Sequence, residues 1–117
     1  MISSNNNSDW ESLLRFLEGN LGKKIKDINS ILFLIGVQEL GKGKDIFSKE
    51  QKQDLIHIAT CKVLSFGGYY KLEGHDQDGW PHWINILPIN ALNIQEQEIL
   101  LKKYILEYFK NEIGLHI

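Results

Sequence analysis

The sequence predicts an α+β fold, mainly helical, with about four helices around a central apolar helix and one β-hairpin from Tyr69 to Leu87. Three observations carry that expectation. Capping pairs spaced three apart, Ser8 with Glu11, Ser48 with Gln51 and Asn93 with Glu96, each stand ahead of an apolar run of helical period. The stretch around Ile31 to Val37 is apolar nearly all the way round, as a helix buried on every side must be. Asp78 and Gly79 lie between two segments rich in aromatic and β-branched residues, the pattern of a hairpin turn.

Taken in order, the polar tract Ser3, Ser4, Asn5, Asn6 and Asn7 has little apolar area to bury, so residues 1–7 are expected as a loose tail. Ser8 should cap a first helix bearing Trp10, Leu13, Leu14 and Leu17, with Gly19 and Gly22 at its end. Asp27 should cap the second helix, on which Ile28, Ile31, Leu32, Ile35 and Leu40 share one side while Phe33, Leu34 and Val37 fill the other. A short apolar run such as Ile31 to Ile35 also suits a buried strand, but the continuation through Gln38, Glu39 and Leu40 to Gly41 favours helix.

Ser48 and Gln51 open the third helix, with Leu55, Ile56, Ala59, Val63 and Phe66 on its apolar face and Gly67 and Gly68 after it. The hairpin follows, with strands expected over Tyr69 to Glu73 and Trp83 to Leu87. Pro81 has no N–H to give a ladder, so it must precede the second strand or lie on an edge. Alternation is expected to set Tyr70, Leu72, Ile84 and Ile86 on one face and Tyr69, Lys71 and Trp83 on the other. Pro88 closes the strand, and Asn93 with Glu96 starts a last helix running to about Glu112.

Composition narrows the function classes. At 117 residues, 43% hydrophobic and 24% charged, the chain is sized and composed for a single globular domain. A net charge of −2 supplies no overall positive field, so nucleic acid is not the expected partner. Cys61 is the one cysteine and cannot pair within the chain; with a polar start unlike a secretory signal, a cytoplasmic location is expected. Ile31 to Val37 is far short of the roughly 20 apolar residues of a membrane-crossing helix.

Four places could hold chemistry. Gly36, Gly41, Lys42 and Gly43 form G-x-x-x-x-G-K-G, which lacks the hydroxyl that holds Mg²⁺ in a phosphate-binding loop and has Glu39 where phosphates would sit. A small-anion or nucleotide site over Gly41 to Lys44 is therefore a minor alternative, and Lys42, Lys44 and Lys49 form at most a small basic patch diluted by Asp45 and Glu50. On the third helix Asp54, His57 and Cys61 share a face, a set that could activate a thiol or hold half a metal site. The densest set is the hairpin's Tyr69, His75, Asp76, Asp78, Trp80, His82 and Trp83, an aromatic and partly polar group of the kind that makes interaction surfaces. Its His75, Asp76, Asp78 and His82 offer nitrogen and oxygen ligands to a metal, though at no established spacing.

No nucleophile, base and oxyanion set can be assembled, so the leading expectation is a non-catalytic module that uses the hairpin to bind an unidentified protein partner, with no cofactor. A metal-dependent role at the four hairpin residues is the alternative. The last helix adds a further expectation. Ile94, Leu101, Ile105 and Tyr108 form a core-facing side, while Ile99, Leu106 and Ile113 recur every seven residues on the opposite side and would suit a homodimer seam. The competing arrangement is intramolecular, with the hairpin or the helix bearing Trp10 covering that second stripe.

Overall fold

The structure, a computed structural model, describes residues 2–41, 46–89 and 93–116. Helix α1 spans Ile2–Leu21, α2 Ile28–Leu40 and α3 Lys49–Leu64, the last extended by one 3-10 turn, Ser65–Gly67. Strands β1, Tyr70–His75, and β2, Pro81–Asn85, form an antiparallel hairpin. Helix α4, Ile94–Glu107, then runs into a π-helical turn, Tyr108–Glu112. The mainly helical α+β expectation holds, and no described helix is long and apolar enough to cross a membrane.

The helix starts follow side-chain chemistry. Asp27 Oδ1 accepts from the Ser30 N–H at 3.0 Å and caps α2. Ser48 and Gln51 exchange side-chain and backbone hydrogen bonds at 3.1 and 2.9 Å at the start of α3, and Asn93 and Glu96 do the same at 2.8 and 3.0 Å for α4. Each such cap contributes on the order of 1 kcal/mol. The expected cap at Ser8 is corrected: α1 already begins at Ile2, so Ser8 and Glu11 lie within it. Asn and Ser cost a helix only about 0.5 kcal/mol each, so a capping signature can be overrun where the following helix propagates backward.

The core gathers Leu13 and Leu17 of α1, Ile31, Leu32 and Ile35 of α2, Ala59 and Val63 of α3, and Ile105, Leu106 and Tyr108 of the last helix and its turn. A second cluster joins Leu40, Phe47 and Leu55, with Phe33, Val37 and Trp80 against it and the Phe33 and Phe47 rings edge to face at 6.0 Å. Gly36, buried in mid-helix, lets α2 pack directly on the α3 backbone. A Cβ at Gly36 would overlap the Leu55 carbonyl and stand 2.9 Å from the Leu55 Cβ. Gly36 is therefore a packing residue, not the first glycine of a phosphate loop, and Gly41 is the left-handed C-cap of α2 at φ 71°, its N–H donating to Val37 O at 3.2 Å. Lys42, Gly43, Lys44 and Asp45 lie outside the described residues.

On α4 the two expected sides do not separate. Leu106 is 6% exposed and belongs to the core, while Ile99 and Ile113 are 68% and 46% exposed. Ile94, the first residue of α4 and expected inward, is 83% exposed. The three residues of the expected seam thus form no continuous outward stripe. Both α3 and α1 pack on α4 within the chain, and α1 adds polar contacts: Lys102 lies 5.4 Å over the Trp10 ring, and Lys110 of the following turn pairs with Asp9.

The hairpin register differs from the expected one. Leu72 pairs with Trp83, Lys71 with Ile84 and Tyr70 with Asn85, and paired residues share a face. Trp83 therefore lies with Tyr70 and Leu72, and Ile84 with Lys71, the reverse of the expected grouping. A bulge between Leu72 and Gly74 shifts the pairing by one residue, so that Gly74 meets His82 and His75 meets Pro81. Period-two reading cannot see a bulge, and a slip of one residue turns every later side chain over. Pro81 opens β2, where its missing N–H costs nothing.

Candidate functional site

Trp80, Pro81, His82 and Trp83 on the hairpin face Asp54, His57 and Ile58 of α3 across an open cleft of about 370 Å³, with Asp76 at its edge. Sequence spacing treats the α3 face and the hairpin as two unrelated candidates, and the fold makes them opposite walls. Ile58 is buried and anchors one wall, whereas Asp54, His57 and His82 are exposed to solvent. Trp80 reaches back into the Leu40, Phe47 and Leu55 cluster, so this end of the hairpin is held by packing. The Trp83 indole Nε1–H is buried and finds no acceptor among the described residues. A donor left this way carries a penalty of about 1–3 kcal/mol, the kind of deficit a bound acceptor relieves.

Asp76 organises the turn. Its Oδ1 accepts from the N–H groups of Asp78 and Trp80, both at 2.9 Å, while its backbone N–H donates to Trp80 O at 3.0 Å. Gly79 donates to Asp76 O at 3.0 Å and takes φ 86°, a conformation that residues with a Cβ rarely adopt. Asp76 Oδ2 lies 3.2 Å from His82 Nε2, so carboxylate and imidazole are a pair on the cleft rim. The Trp80 N–H, with help from His82 and the Asp78 N–H, holds the Asp76 carboxyl below its ordinary value. Both Asp76 oxygens are thus already engaged within the hairpin.

The third-helix set divides. His57 Nε2 is 3.5 Å from Cys61 Sγ, as the i, i+4 spacing requires. Cys61, however, is completely buried, and burial pushes its thiol up to about 11. An activated thiol needs the opposite shift, so Cys61 serves as a small core residue while Asp54 and His57 turn to the cleft.

Of the hairpin residues singled out from sequence, Asp76, Trp80, His82 and Trp83 line the cleft and Tyr69, His75 and Asp78 do not. Tyr69 packs on the main core, and its carbonyl accepts from the Ile86 N–H at 2.8 Å and from Asn85 Nδ2 at 3.1 Å. His75 ends β1 in solvent, and Asp78 lies at the exposed tip. Among the described residues no three His, Cys, Asp or Glu side chains converge as a metal shell requires, and of the four hairpin ligands considered Asp76 and His82 meet. The residues that spacing missed as partners of the hairpin are Asp54 and His57. Their only signal was their shared face with Cys61 on the third helix. Compared with protein-family models, with curated proteins and with solved structures, the chain has no significant match.

Proposed function

We propose that the chain is a binding module that takes a segment of a protein partner in the cleft between α3 and the hairpin, reading a cationic side chain of that segment. The observation that carries this reading is the composition of the cleft: two indoles, Trp80 and Trp83, with the carboxylates of Asp54 and Asp76 and, among the described residues, no lysine or arginine in the lining. An ammonium or guanidinium group is attracted both to an indole face and to a carboxylate, and each attraction strengthens as water is displaced. A peptide also brings carbonyl oxygens, which fits the buried, unpartnered Trp83 N–H. Asp76 contributes charge while staying in its turn, and Asp54, which has no ion-pair partner among the described residues, is the free carboxylate.

The test is titration of the protein with short lysine- or arginine-bearing peptides and with the same peptides carrying glutamine instead, followed by tryptophan fluorescence and amide NMR shifts. Basic peptides are expected to move the signals of Trp80, Trp83 and His57, and Asp54→Asn is expected to weaken binding at least about fivefold. Equal binding of the glutamine peptides, or unchanged affinity in Asp54→Asn, would remove the reading.

A further inference from the structure

A second groove, of about 630 Å³, lies away from the hairpin, where the α1–α2 connection meets the first turns of α3. Its rim carries Lys23, Lys24 and Lys26 from the connection and Lys49 and Lys52 from α3. All five lysines are exposed, and none is in an ion pair among the described residues. One carboxylate, Asp27, lines the same groove, but its Oδ1 is occupied by the Ser30 N–H and hydroxyl, each at 3.0 Å. A chain of net charge −2 thus concentrates five ammonium groups against one carboxylate in a single concavity. A multivalent anion in that concavity is attracted by all of them at once.

The groove is not charged throughout. Leu21, Ile25, Phe33 and Ile56 supply apolar surface between the lysines, and Asn29 and Gln53 supply amides. Its volume falls in the range of small-ligand sites, about 300–1,000 Å³. Lysine suits phosphate as a mobile point charge that needs no fixed geometry. We propose that this groove binds a small ligand carrying two or more phosphates on an aromatic or apolar body, the chemical class of the nucleoside polyphosphates. The phosphates sit among the five ammonium groups, and the body lies on the apolar surface that includes Phe33 and Ile56. Lys49 belongs to the small basic patch that the sequence suggested, and the groove adds four lysines that no motif marked.

Calorimetric titration at low ionic strength tests the assignment, with four probes: each of the common ribonucleoside triphosphates, the parent nucleosides, inorganic tripolyphosphate, and a short single-stranded oligonucleotide. At least one nucleoside triphosphate is expected to bind one to one, its nucleoside not at all and tripolyphosphate more weakly, with affinity falling as salt rises. The double variant Lys24→Glu with Lys49→Glu should lower that affinity at least about tenfold, because two attractive charges become repulsive. Lys71→Glu, on the outer face of the hairpin, makes a charge reversal outside the groove and should leave affinity within about twofold. Circular dichroism establishes that each variant is folded. Absence of binding at millimolar triphosphate overturns the proposal, as does an undiminished affinity in the double variant or an equal loss in Lys71→Glu. Tripolyphosphate binding as tightly as the triphosphates, or an oligonucleotide binding more tightly than either, overturns it too.

Discussion

The contact of α2 with α3 and the hairpin that leans on it are held together in different ways. Where the two helices cross, Gly36 meets the Leu55 backbone without a side chain between them, and Ile35, Ala59 and Val63 pack beside that contact. The hairpin packs on the core through Tyr70 and Trp80 but relies also on its ladder and on Asp76, while Leu72, Ile84, Ile86 and Leu87 remain exposed. Packing of this density tolerates almost no change of volume, whereas a turn fixed by hydrogen bonds responds to protonation. An isolated two-stranded hairpin is marginal in water, so loss of the helical core should take the hairpin with it, while loss of the turn should leave the helices standing.

The largest expected effect is at Leu106. Leu106→Glu places a carboxylate in the core among residues of all four helices and should cost about 3 kcal/mol or more, unfolding helices and hairpin in one transition by circular dichroism. A folded monomer from that variant would contradict the burial seen here and restore an intermolecular role for the stripe. Gly36→Ala comes next. At an open helical position this change stabilises by about 0.5–1 kcal/mol, but against Leu55 it should destabilise by about 1–3 kcal/mol, so the sign of the shift in denaturation midpoint decides.

Tyr108→Phe should have a smaller effect. The buried Tyr108 hydroxyl donates to Glu39 Oε2 at 2.9 Å, and burial together with that carboxylate pushes the phenol well above its ordinary range. Removing the hydroxyl should cost about 1–2 kcal/mol, limited because Lys62 still lies 3.7 Å from Glu39 Oε1. The smallest and most local change is acid acting on Asp76. Its folded value is lowered, so its contribution is present above the ordinary value of 3.8 and is lost as pH falls through the folded value. The amide signals of Asp78 and Trp80 should shift in that acid range while those of the α2–α3 contact do not. Simultaneous change in both regions would erase the distinction between them.

Much of the framework was legible along the chain. The caps at Asp27, Ser48 and Asn93, the buried character of α2 and the turn at Gly79 all depend on groups within four residues of one another, and such relations survive whatever the rest of the chain does. The bulge beside Glu73 was not legible, because it depends on which residue of β2 stands opposite, and the facing of Trp83 went with it. The role of Gly36 was also hidden, since a glycine in a G-x-x-x-x-G-K pattern and a glycine beneath a crossing helix look alike in sequence.

By itself, then, the sequence determined the order and kind of the elements and supplied the residues of each candidate site, because capping, periodicity and turn chemistry act over a few bonds. Tertiary structure alone decided that Asp54 and His57 face His82 and Trp83, that Lys49 and Lys52 join Lys23, Lys24 and Lys26, and that Leu106 points inward. Those groupings depend on how closely and at what angle the helices cross. Close packing around Gly36 and Leu55 sets that geometry, and it lies beyond the reach of any local pattern.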